Sequence, residues 1–156
     1  MTITIKKATI KEIMDLSCYI PAFYEEFGDN PFGEAYNYDQ KSFVDTWVNW
    51  ISQPNYCLFC AYDNDKFLGG IGGMFAKHPY TKDTWFGYEH FWYVIKEYRK
   101  QGVGQLLINT FEDWLKQHNV KYMIMVYIHG GPSEQMANFY EKAGFRPFET
   151  QVLKEI

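Results

Sequence analysis

The chain has 156 residues, 47% apolar and 22% charged, about one globular domain with a core of ordinary size. Fifteen basic residues against nineteen acidic ones leave a net charge of −4, which argues against duplex DNA or an anionic membrane as main partner. No apolar run nears the ~18 residues of a membrane span, and Met1-Thr-Ile-Thr-Ile-Lys-Lys7 alternates without a signal peptide's hydrophobic region. A single soluble, cytoplasmic domain over residues 1–156 is expected.

In chain order, Ile3–Thr9 reads as a short opening strand. Thr9 and Glu12 have the spacing of a capping box, in which the two side chains satisfy N–H groups at a helix start. Ile13, Leu16, Ile20, Phe23 and Phe27 then follow at helical spacing, with Pro21 expected to kink or restart the helix and Gly28 to close it. After a loop, Asp39 can cap a second helix carrying Phe43, Trp47, Trp50 and Ile51 on one face. Three strands are predicted at Tyr56–Tyr62, Phe67–Phe75 and about Trp85–Ile95, the first two joined by a short turn at 63–66. A strong helix follows, with Val103, Leu106, Leu107, Phe111, Trp114 and Leu115 on one side. Val120–Ile128 reads as another strand. Pro132 or Ser133 opens a helix with Met136, Phe139, Tyr140 and Ala143 on one face, Gly144 stops it, and Phe145 onward reads as a last strand. The order β-α-α-β-β-β-α-β-α-β predicts an α+β fold, a mixed sheet with helices on both faces.

Three cysteines are too few for a disulfide scaffold. Cys57-Leu-Phe-Cys60 has the spacing of a redox or zinc pair, but residues three apart on a strand face opposite sides of the sheet. Core cysteines and no metal site are expected.

The segment richest in chemistry is Val94-Ile-Lys-Glu-Tyr-Arg-Lys-Gln-Gly-Val-Gly-Gln-Leu-Leu107. Here a strand runs into a basic, glycine-bearing turn that opens a helix. Such a turn aims backbone N–H groups outward at the positive end of the helix dipole, and Arg99 and Lys100 add charge. It has the makings of a pyrophosphate cradle, unless it is only a glycine-rich strand–helix connection. It lacks the Gly-Lys-Ser/Thr of a P-loop, and Leu107 stands where a dinucleotide fingerprint needs its third glycine.

Arg99-Lys-Gln-Gly102-Val-Gly104 resembles the Arg/Gln-x-x-Gly-x-Gly/Ala turn of the GNAT family, the GCN5-related N-acetyltransferases. Trp92-Tyr-Val-Ile-Lys-Glu-Tyr98 resembles the family's preceding strand, with Lys96 in place of its usual proline. Phe139-Tyr-Glu-Lys-Ala-Gly-Phe145 matches the family's later helix. Glu89-His-Phe-Trp-Tyr-Val94, behind Gly69-Gly-Ile-Gly-Gly73, also resembles a branch encoded by tailed phages and prophages.

The resemblance implies a GNAT-type sheet and an acyl-CoA-dependent N-acyltransferase, with acetyl-CoA as cosubstrate and a primary amine as acceptor. By position, Trp92 and Val94 would offer backbone groups to pantetheine. Arg99, Lys100, Gln101, Gly102, Val103, Gly104 and Gln105 would hold the pyrophosphate. Ser133 stands where an asparagine often touches CoA, which puts that side-chain contact in question. Tyr140 takes the usual general-acid position. Glu89 is the first choice as base and His90 its rival; alternation sends them to opposite faces, and a bulge could exchange their roles. His129 is expected to shape its loop.

Two other readings compete. A GNAT-fold protein could bind CoA without catalysis. Single-stranded nucleic acid could stack on aromatics that make up 20% of the chain, though the basic groove such binding needs is missing; the core and a homodimer interface can absorb those rings. Residues 25–45 carry Glu25, Glu26, Asp29, Glu34, Asp39 and Asp45 against Lys41 alone, so a cationic acceptor is expected.

Overall fold

A computed structural model describes residues 1–27, 37–130 and 133–156. It has two compact units: residues 1–20 with 39–125, and residues 21–38 with 126–156.

The first unit is built on a five-stranded sheet in the order β1 (Ile3–Lys7), β2 (Tyr56–Asp63), β3 (Lys66–Lys77), β4 (Trp85–Val94) and β5 (Tyr122–Ile124). The first four strands pair antiparallel; β5 lies parallel to β4 and pairs only with Phe86–Tyr88. Helix α1 (Ile10–Ser17) starts at the expected capping box, where the Thr9 N–H donates to Glu12 Oε2 at 2.9 Å. Helix α2 (Ile20–Glu25), which falls in the second unit from Pro21 on, begins one residue ahead of that proline, so the chain restarts rather than kinks. Gly28, expected to close this stretch, lies outside the described residues. Asp39 caps α3 (Gln40–Ile51), accepting from the Ser42 N–H at 2.7 Å.

Helices cover both faces of the sheet, and the glycines of β3 show which covers which. A Cβ built at Gly70 would meet Leu16 of α1, and one at Gly72 would meet Trp47 of α3. A Cβ at Gly73 would meet Phe111 of α4 (Val103–Gln117), which packs on the opposite face. Val103, Leu107, Phe111, Trp114 and Leu115 of α4 are buried as expected; Leu106 is exposed and Ile108 takes a place in the core.

The second unit holds α5 (Ser133–Lys142), which starts at Ser133 and ends before Gly144 at φ +88°. Two expected strands differ from the observed structure. The strand expected over 120–128 is reduced to Tyr122–Ile124, since its partner β4 bulges just past Tyr88 and the ladder ends there. The strand expected from Phe145 does not form: residues 145–156 have no regular secondary structure, Pro147 lacks a ladder donor, and Phe148, Val152 and Leu153 are exposed.

Candidate active site

Strand β4 changes register in its middle. Gly72 faces Phe91 and Gly73 faces Glu89, so His90 is the extra residue of a bulge. Before the bulge, Gly87 points at Leu115 of α4. After it the parity is reversed. Phe91 meets the ring of Phe43 on α3 at 6.2 Å, while Trp92 and Val94 face Gly104 on α4. Strict alternation would have put Phe91 on the side of Gly87.

The two base candidates therefore have different surroundings. Glu89 is buried, 8% exposed. His90 is an exposed residue, but its ring centroid lies 5.1 Å from that of Trp50 and 6.2 Å from that of Tyr56, which stack on each other. Desolvation between these rings lowers the imidazole pKa below its ordinary 6.5, so His90 is neutral at pH 7.

Beyond the bulge, the Ile95 N–H donates to Leu68 O on β3 at 3.0 Å. By alternation, the backbone groups of Val94 and Trp92 turn to the opposite edge of β4, past the point where β5 has stopped pairing. The Val94 carbonyl there accepts from Arg99 Nε at 2.9 Å, and the guanidinium lies 5.5 Å from the centre of the Tyr93 ring. Arg99 is thus braced against the strand end.

A turn of 3₁₀ helix at Lys96–Tyr98 leads to Lys100 at φ +62° and Gly102 at φ +85°. Gly102 is the N-cap of α4 and supplies no side-chain cap, so the N–H groups of Val103, Gly104 and Gln105 form the open first turn of the helix. A Cβ at Gly102 would find nothing within 4 Å, so the space over the turn is clear. The side chains of Gln101 and Gln105 are engaged elsewhere: Gln101 Nε2 donates to Glu97 O and Gln105 Nε2 to Asn109 Oδ1, both at 2.8 Å. Their contribution to an anion would come from the backbone. An uncapped helix start, a left-handed glycine and an exposed Lys100 suit a pyrophosphate.

In the second unit, Tyr140 is buried on α5. Its hydroxyl donates to Val126 O at 3.0 Å, and the rings of Tyr127, Phe139 and Phe145 surround its own. Ser133 is the first residue of the helix, its N–H on Gly130 O at 3.3 Å. His129 lies in the preceding loop, edge-on to Tyr127.

The model of the acetyltransferase (GNAT) family matches residues 20–145, most of the chain. The chain belongs to the GNAT family. Among curated proteins, N-alpha-acetyltransferase 30 of Schizosaccharomyces pombe is 28% identical over 108 residues, which are 69% of this chain and 65% of that protein. The GNAT chain thus spans a little under two thirds of that relative's length. Among solved structures, a GCN5-related N-acetyltransferase from Ralstonia eutropha superposes with a TM-score of 0.78 at 21% identity, over 99% of both chains. A predicted acetyltransferase from Clostridium acetobutylicum, solved with acetyl-CoA, gives 0.76 at 19% identity, over 99% of this chain and 96% of that one. At these identities the superpositions establish the GNAT fold.

Sequence reasoning missed the aromatic partners of His90 and the role of Gly104. Trp50 and Tyr56 sit on two different elements, neither near His90 in the sequence, so the contact is a tertiary one. Gly104 was expected at the phosphates; the structure also sets it against Trp92, with a would-be Cβ only 3.1 Å from Cζ2. Cys57 and Cys60 are buried free thiols whose pKa values burial pushes up. Among the described residues no three His, Cys, Asp or Glu side chains group to hold a metal ion, and no helix is long and apolar enough to cross a membrane.

Proposed function

We propose that this GNAT protein is an acyl-CoA-dependent N-acetyltransferase acting on a primary amine, with residues 1–156 serving as one catalytic domain. The observation that carries the reading is the open first turn of α4 at Val103–Gln105, placed by left-handed Gly102 directly after the β4 edge. Acetyl-CoA would supply the thioester whose acyl group moves to the amine. In this reading the N–H groups of Val103, Gly104 and Gln105, with Arg99 and Lys100, hold the pyrophosphate, and the β4 edge at Trp92 and Val94 aligns the pantetheine.

Glu89 would take a proton from the acceptor's ammonium, directly or through water, leaving an amine that attacks the thioester carbonyl. Neutral His90 is the rival for that step. Tyr140 would give its proton to the sulfur as the C–S bond breaks, exchanging the Val126 carbonyl for the thiolate. A second reading, a CoA-binding module without turnover, is favoured by one observation: the Tyr140 hydroxyl is already used inside an aromatic cluster.

The acidic stretch supports a cationic acceptor, though some of its members already have partners within the chain. Asp39 caps α3 and Asp45 pairs with Lys41, while Asp29 and Glu34 lie outside the described residues. Buried free thiols fit the cytoplasm, and exposed Tyr80, Trp85 and Tyr122 would give a homodimer apolar surface. The test is CoA release from acetyl-CoA across a panel of peptides, polyamines, aminoglycosides and amino acids. Turnover on a cationic amine supports the enzyme; CoA binding with no turnover on any amine supports the module.

A further inference from the structure

Strand β3 carries Gly69-Gly-Ile-Gly-Gly73, and its last two glycines face opposite layers. At Gly72 the obstacle to a side chain is another side chain: a Cβ would stand 2.4 Å from Cη2 of Trp47 and 2.9 Å from Cδ1 of Leu58. At Gly73 the obstacle is backbone. A Cβ there would stand 2.1 Å from the carbonyl oxygen of Tyr88, with Cζ of Phe111 at 2.9 Å. Separations below 3.0 Å do not occur for real Cβ atoms, and a peptide carbonyl cannot swing aside as a side-chain tip can.

That carbonyl belongs to the peptide joining Tyr88 to Glu89, and Glu89 is the residue opposite Gly73. The next residue, His90, is the extra one. The peptide leaning over Gly73 is therefore where β4 leaves its regular path. We infer that Gly73 is a positioning residue: it lets the Tyr88 carbonyl close over β3, sustains the bulge, and so sets where Glu89 and His90 stand. The inference rests on the proposed reading that one of these two takes the acceptor's proton. Without the bulge, the parity of Gly87 would run on through Phe91, and Trp92 and Val94 would leave the α4 side.

The test introduces Gly73→Ala into the full-length protein and into a variant with His90 deleted. Deletion removes the extra residue, so position 73 no longer faces a displaced carbonyl. We expect Gly73→Ala to lower the unfolding midpoint sharply, or to leave no folded protein, in the full-length strand, and to lose less than about a third as much in the deleted one. Equal losses in both backgrounds, or insolubility in both, overturn the inference.

Where Gly73→Ala folds, kcat should fall by about 10²-fold and its pH profile should move, because the displaced peptide leads directly into Glu89 and His90. Gly72→Ala, which presses on Trp47 instead, should lower the midpoint with kcat retained. A folded Gly73→Ala protein with normal kcat and an unmoved pH profile also overturns the inference. The stability coupling needs no acceptor, so an unaltered protein without turnover would count against the enzyme reading and not against the bulge.

Discussion

Gly104 rests against the indole of Trp92, so that the first turn of α4 and the far half of β4 are in direct contact at a position where a Cβ would be 3.1 Å from Cζ2. A valine at position 104 therefore perturbs two things at once, the approach to the helix N–H groups and the seating of Trp92. Gly104→Val should weaken acetyl-CoA binding by about tenfold or more in isothermal titration, with circular dichroism little changed. Trp92→Phe in the same chain makes room. Recovery of affinity would show that the loss ran through β4; persistence would assign it to the phosphates. Unchanged affinity in the single variant would remove the phosphate role from this turn.

Tyr140→Phe keeps the ring among Tyr127, Phe139 and Phe145 but deletes the bond to Val126 O. The lost hydrogen bond should cost about 1 kcal/mol of stability. If the phenol is the general acid, kcat should fall by ~10²–10⁴ while acetyl-CoA affinity barely moves. A stability loss with near-normal kcat would make Tyr140 a packing residue only.

Glu89→Gln should lower kcat by ~10²–10⁴ and flatten the acidic limb of the pH–rate profile, whereas His90→Gln should keep that limb. The opposite pattern would make His90 the base. His90 also leaves a signature in stability. Its folded pKa lies below 6.5, so the unfolded chain binds the proton more readily, and stability is lost as pH falls from about 6.5 through the lowered folded value. Thermal melts of the unaltered protein should show that decline, and His90→Gln should reduce it.

The capping box makes a prediction far from the chemistry. Hydrogen bonds from the Thr9 side chain and backbone hold the Glu12 carboxyl below its usual 4.5. Its contribution is present above the unfolded value and disappears as pH falls through the lower folded one. Thr9→Ala should cost about 1 kcal/mol in denaturant unfolding at pH 7. The gap between the unaltered protein and Glu12→Gln should narrow below about pH 4.5. A gap independent of pH would mean that the carboxylate charge plays no part.

Much of this architecture was legible because local rules and tertiary packing agree. The Thr9–Glu12 spacing, the Asp39 cap and the apolar stripe of α4 each depend on neighbours within one or two turns. The bulge at His90 was harder to place. It depends on Gly73, a residue on another strand, and nothing in Glu89-His-Phe-Trp alone reveals a break in alternation. Leu106 was misassigned for a related reason: a helical stripe predicts a direction, while β2, β3 and β4 determine how wide a face they cover. The turn between β4 and α4 was readable from its glycines, but the two kinds of glycine within it were not. Gly102 is required by its torsion, and Gly104 by the ring of Trp92.

The shortness of β5 has a dynamic consequence. Three parallel pairs hold Tyr122–Ile124 to the sheet, whereas β2 and β3 are each flanked on both sides. Local opening should therefore begin at this seam, and amide deuterium uptake at 122–124 should outrun that of the inner strands by a wide margin. The margin of the sheet beside the β4 edge is thus also its most readily parted one, so breathing there needs no disturbance of the strands that carry the core.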